Sequence, residues 1–316
     1  MEWTAKMKLF FQLLLLAALA GCGAKSSAPP AGKPAGHVLP LPEIPAMLAD
    51  DSSRLDYLSA HYWDGFDFKD TTWIADTAAL EQAFADWTGI LMKLPADRAC
   101  ELSGDVIRQS GESPAMLLRL AEIAEHYFNN PNSPFRNESL FIPVLRAMLE
   151  SDSLGAEEKL RPQLLLDAAM KNRPGMHAAD IVYTTASGRK GRLSRLGGDY
   201  LLLLFYNPGC ADCARVLEYL SKSQSIGELL RSHRLTLLAL YPDKDLELWR
   251  KYLPEIPDSW VVAYDAEQAV NEKETYVLPA IPTLYLLDRD KRVLLKDAPV
   301  EQVEYYLKKH VADAAD

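Results

Sequence analysis

Cysteine and histidine are scarce in this chain: four and six in 316 residues. There is one C-x-x-C, formed by Cys210 and Cys213, with no second C-x-x-C and no H-x-x-x-H. A structural zinc site needs two further ligands at workable spacing, so no metal or other cofactor is expected. Phosphate-loop and nucleophile-elbow motifs are also missing, which removes two large enzyme classes. Positive charge is in deficit, with 34 Lys and Arg against 44 Asp and Glu and a formal net charge of −10. That balance argues against nucleic acid as a partner and against docking to anionic lipid through protein charge. Beyond the N-terminus no apolar run reaches the roughly 20 residues needed to span a bilayer.

What is present begins with Lys6 and Lys8 ahead of an apolar run from Leu9 to Ala20 broken by Gln12. The run has the length of a secretory h-region and is too short to span a membrane; Met7 is an alternative start. Leu19-Ala20-Gly21-Cys22 follows, and it resembles the lipobox of bacterial lipoproteins. That resemblance implies cleavage before Cys22 and fatty acylation of its thiol; an ordinary signal with a chance cysteine is the alternative. Residues 22–45, rich in Gly, Ala, Ser and Pro, cannot bury a core and read as a tether, with packed structure starting near Met47. The expectation is a chain held by its lipid to the bacterial envelope, facing the periplasm.

Setting Cys22 aside leaves Cys100, Cys210 and Cys213. Cys100 has no close partner in sequence and reads as a small buried hydrophobe, or else as a mixed-disulfide partner. For Cys210-Ala211-Asp212-Cys213 a structural disulfide and a redox pair both remain open on spacing alone. Context favours the redox pair. Asp199 to Tyr206 is an apolar run of strand length, as for a central strand covered on both faces. Asn207-Pro208-Gly209 breaks it, and Ala214 to Leu220 resumes at helical spacing. Cys210 is thus expected at a helix start, where unpaired N–H groups and the helix dipole favour a thiolate. Cys213 is expected one turn further in.

Downstream, Ala280-Ile281-Pro282-Thr283 opens a strong strand to Asp288, followed by a return strand at Arg292 to Leu295 and an amphipathic helix from Val300 to His310. Together these motifs resemble the thioredoxin-like family, in the envelope subgroup of TlpA and ResA type, over residues 173–316. The resemblance implies an α/β domain with a central mixed sheet flanked by helices. It also implies a cis Ile281–Pro282 bond beside the cysteines, against a plain strand-entry proline as the alternative. Carried onto this chain, it makes Cys210 the nucleophile and Cys213 the resolving thiol of a redox disulfide. Pro282, Ile281, Pro208 and Gly209 then receive the partner chain. The sequence departs from the family in three places. Gly209 stands where a Trp precedes the first cysteine, Ala-Asp separates the cysteines, and Leu204 occupies the position of thioredoxin's buried acid.

Residues 46–172 read as mainly α-helical: Thr77 to Met92, Glu101 to Gln109, Pro114 to Phe128 behind Ser113, Leu140 to Leu149 interrupted at Pro143, and a last helix after Gly155. The aromatics Tyr62, Trp63, Phe66, Phe68 and Trp73 read as core, with a recognition surface as the alternative. This half is similar to an uncharacterised helical domain that precedes thioredoxin-like domains in some lipoproteins. The expected function is an envelope thiol–disulfide oxidoreductase acting on protein thiols and disulfides. A non-catalytic lipoprotein binding module with the fold as scaffold is the competing reading. Asp212 disfavours a stable thiolate at Cys210, Arg215 being expected to point away, and so favours a reductant.

Overall fold

The computed structural model describes residues 36–313; the expected signal peptide and Cys22 lie outside the described residues. Helices dominate up to Ala169: α1 (Asp51–Ala60), α2 (Thr72–Ala75), α3 (Thr77–Leu91), α4 (Ala96–Gln109), α5 (Pro114–Phe128), α6 (Glu138–Glu150) and α7 (Ala156–Ala169). Their shared core holds Trp63, Phe66, Phe84, Trp87, Leu120 and Leu145. The aromatic group from Tyr62 to Trp73 is therefore core, with Phe68 packed at its margin. Packing begins earlier than Met47, because Leu39 lies against this core.

Proline 143 does not interrupt α6, contrary to expectation, and the reason is a substitute donor. Lacking an N–H, Pro143 leaves the Ser139 carbonyl without its bond from four residues on. The Cys100 thiol on α4 donates to that carbonyl at 3.2 Å. Close approach of the two helices is possible because residue 104 is glycine: a Cβ there would lie 3.1 Å from Pro143 Cβ. Cys100 is thus a half-buried thiol with a structural bond rather than a plain hydrophobe. Burial and Asp97 raise its pKa and keep the proton it donates, against a smaller opposing effect of Arg173.

The C-terminal half forms one seven-stranded sheet: β1 (Val182–Thr185), β2 (Lys190–Arg192), β3 (Tyr200–Phe205), β4 (Leu235–Tyr241), β5 (Val261–Tyr264), β6 (Thr283–Asp288) and β7 (Val293–Lys296), in the order β2-β1-β5-β4-β3-β6-β7. Helices α8 (Ala211–Lys222), α9 (Gln224–Arg231), α10 (Leu246–Tyr252) and α11 (Val300–Asp313) accompany it. Strand β3 is central, parallel to β4 and antiparallel to β6. Its side chains alternate. Leu202 and Leu204 enter the core shared with α8, α10 and α11, while Leu201, Leu203 and Phe205 enter the core of the opposite face. Burial on both faces is why this strand is an unbroken apolar run.

The two halves meet through polar bonds. Lys296 Nζ, almost wholly buried, donates to Glu138 at 2.8 Å and to the carbonyls of Ala169 and Lys171 at 3.0 and 2.8 Å. Arg136 pairs with Asp297 beside it.

Replacing Cys100 by Ala should cost about 1 kcal/mol, as expected for an orphaned acceptor, while Cys100→Ser retains most of the stability. Urea midpoints at unchanged m-value measure this; equal loss in both variants would contradict the thiol's bond to Ser139.

Candidate functional site

Strand β3 ends at Phe205, and Asn207-Pro208-Gly209 carries the chain over the top of the sheet into α8. Gly209 has φ +77°, a conformation that a residue with a Cβ adopts only with strain. Cys210 is the N-cap of α8, with extended backbone, and its sulfur accepts the Cys213 N–H at 3.3 Å. Cys213 sits in the first turn below, 1% exposed, and its sulfur accepts the Asn207 N–H at 3.4 Å. Both cysteines are free thiols. Burial pushes the Cys213 thiol up to about 12, with Cys210 and Asp212 adding to the rise and the Asn207 N–H opposing it.

The sequence-predicted residues converge here. The Ile281–Pro282 bond is cis, and the Cys210 thiol points at the Ile281 carbonyl, 3.6 Å away. Pro208 and Gly209 line a cavity of about 490 Å³ beside Cys210. Leu204 is fully buried under the site, on the same face of the sheet as Cys213. Asp212 and Arg215 are exposed and ion-paired, so the negative charge beside the cysteines is partly compensated.

Other members were not legible in sequence. Tyr206 lies beneath the loop, and its hydroxyl accepts the Trp249 indole N–H at 2.8 Å; both rings are buried. Tyr252, Glu255 and Ile256, from the end of α10 and the turn after it, form the far wall of the cavity. Their only sequence signal was a short aromatic segment without a motif. Asn207 was read as a strand breaker, yet its N–H serves Cys213 while its Oδ1 is buried without a hydrogen-bond partner.

This arrangement, an exposed-rim sulfur at a helix start over a buried one, occurs within a chain of recognisable kin. A solved thioredoxin-like protein from Bacteroides caccae is 41% identical, with 87% of this chain and 99% of that one aligned at a TM-score of 0.85. The chain belongs to the thioredoxin-like family. Residues 22–172 match the family described as Domain of unknown function (DUF5106). Curated relatives named thiol-disulfide oxidoreductase ResA, from Bacillus thuringiensis and Bacillus anthracis, are 26% identical over 142 residues, 44% of this chain and 79% of theirs. This thioredoxin-like chain is accordingly an enzyme of the thiol–disulfide oxidoreductase class. Among the described residues no helix is long and apolar enough to cross a membrane.

The helix that bears the cysteines is anchored at its far end by one carboxylate. Glu304 on α11 accepts from Ser223 and Tyr219 at 2.6 Å, Ser225 at 2.7 Å and Lys308 at 3.1 Å. Burial pushes Glu304 up, but these donors outweigh it and hold the carboxyl at about 2, below its ordinary 4.5. A depressed folded-state pKa means stability that is present above about 4.5 and lost as pH falls toward about 2. Glu304→Gln should therefore be less stable by about 2 kcal/mol at pH 7, the difference closing as acid is added. A difference independent of pH, measured by chemical denaturation, would contradict this assignment.

Proposed function

We propose that Cys210 is the attacking thiol and Cys213 the resolving thiol of a protein-disulfide reductant. The observation that carries this reading is the asymmetry of the pair: Cys210 is half-buried at the helix N-cap, and Cys213 is sealed beneath it. The Cys210 thiolate displaces one sulfur of a partner disulfide, forming a mixed disulfide and releasing one partner thiol. Cys213 then gives up its proton and attacks Cys210, closing Cys210–Cys213 and releasing the second thiol. Two electrons pass to the partner, its two sulfurs end as thiols, and a dithiol donor must reduce the pair again. Ile281, Pro282, Pro208 and Gly209 flank Cys210 and would receive the partner's backbone.

The direction of flux follows from charge. A strong oxidant needs a very stable thiolate in its reduced form. The nearest basic side chain in sequence, Arg215, is engaged with Asp212, and Glu218 and Glu255 line the adjoining cavity. Burial also holds Cys213 protonated, so that sulfur adds no stable thiolate to the reduced pair, which supports a reductant.

The chain is proposed to work in the bacterial envelope, held by a lipid on Cys22 behind a signal peptide of residues 1–21 and a tether over 22–45. The helical domain would span 46–172 and the thioredoxin-like domain 173–316. The lipobox-like Leu19-Ala20-Gly21-Cys22 supports the anchor. Equal uptake of labelled fatty acid by a Cys22→Ser chain would remove it.

Cys210→Ser should abolish reduction of protein disulfides, whereas Cys213→Ser should accumulate mixed disulfides through Cys210. Mass spectrometry of the trapped adducts reads the outcome; adducts on Cys213 in a Cys210→Ser chain would reverse the roles.

A further inference from the structure

We infer that the cavity beside Cys210 is a specificity pocket for an arginine or lysine side chain of the partner, next to the cysteine under attack. This rests on the proposed role of Cys210 and adds the chemistry of the substrate.

Gly209 forms part of the pocket's wall. A side chain at Gly209 would project toward Tyr252, whose hydroxyl lies 3.6 Å from where a Cβ would stand. The space between α8 and the end of α10 is about 490 Å³ in volume. That is ample for one long side chain.

Its lining is apolar in the walls and acidic at the rim. Leu217 from α8 and Ile256 and Tyr252 from the opposite side supply surface for an aliphatic stem, and the Tyr252 ring can face a cation. Two glutamates, Glu218 and Glu255, line the pocket, and no lysine, arginine or histidine does. Glu218 is ion-paired with Lys222 along the helix, while Glu255 has no ion-pair partner among the described residues. A long, flexible side chain ending in several N–H donors and a positive charge meets every one of these features. A carboxylate would meet repulsion, and a leucine would desolvate the glutamates for nothing.

The test uses the whole chain and cysteine-free peptides, identical but for Arg, Leu or Glu beside a serine that replaces the target cysteine. Kd values are measured by fluorescence anisotropy. The Arg peptide should bind about tenfold more tightly than the Glu peptide, as two opposed exposed charge contacts allow. The Leu peptide should fall between them. In Glu255→Gln the Arg-to-Glu ratio should shrink to about threefold, a comparison internal to one folded variant. A ratio near one in the parent chain, equal binding of Leu and Arg peptides, or a ratio unchanged in Glu255→Gln would overturn the pocket's assignment. Single turnover of 2-hydroxyethyl disulfide by the reduced parent chain reads the cysteines separately. Its absence would overturn the attacking role of Cys210, and with it the placing of the pocket beside a reacting sulfur.

Discussion

The structure depends on the burial of strand β3 on both faces, followed by its abrupt end. Six consecutive residues, Tyr200 to Phe205, lie in the sheet, five of them fully buried. At roughly 1.5–3 kcal/mol for each large side chain taken from water, this strand is a major source of the domain's stability. Its end is therefore a fixed point. Asn207-Pro208-Gly209 must turn there, and α8 must start where the turn delivers it. The cysteines inherit their positions from that constraint: one at the rim of the sheet, one over Leu204 and Tyr206 in the core.

From this placement the chemistry of the site follows. The same apolar core that buries Cys213 raises its thiol, so this sulfur keeps its proton, as the proposed resolving role requires before a mixed disulfide forms. Leu204, at the position of thioredoxin's buried acid, is sealed in the core and brings no carboxylate of its own. Around the loop, hydrogen bonds take over the work of orientation. Asn207 N–H meets Cys213, Cys213 N–H meets Cys210, and Trp249 meets Tyr206. At the other end of α8, the donors gathered on Glu304 fix the helix against α11, so the cysteines stand on an element held at both ends.

Local features were legible in sequence because they are encoded locally. The β3 run, the break at Pro208-Gly209, the helix start at Cys210 and the strand after Pro282 each rest on a few neighbouring residues. Pro143 misled for an instructive reason: its missing N–H is a local defect, but its remedy, the Cys100 thiol, comes from another helix. Lys296, buried against Glu138 and two carbonyls from the helical half, is likewise a product of tertiary contact, as a lone lysine at the end of a strand announces nothing. The cavity wall of Tyr252, Glu255 and Ile256 lay hidden because its residues meet Cys210 only through the fold. Asp212 looked like the dominant local charge, yet Arg215 turns back onto it, a pairing that side-chain direction on the helix decides. The reading of a reductant now rests on the burial that holds the Cys213 thiol protonated more than on Asp212 alone.

The central claim, that the Cys210–Cys213 pair is a reducing couple, is tested most directly by its equilibrium potential. The intact chain can be equilibrated with defined ratios of reduced and oxidised dithiothreitol or glutathione, and the thiol state of each cysteine read by alkylation and mass. The account predicts a reversible two-electron couple near that of thioredoxin, about −270 mV. A potential near that of a strong periplasmic oxidant, about −120 mV, or a pair that never closes into a disulfide, would contradict it.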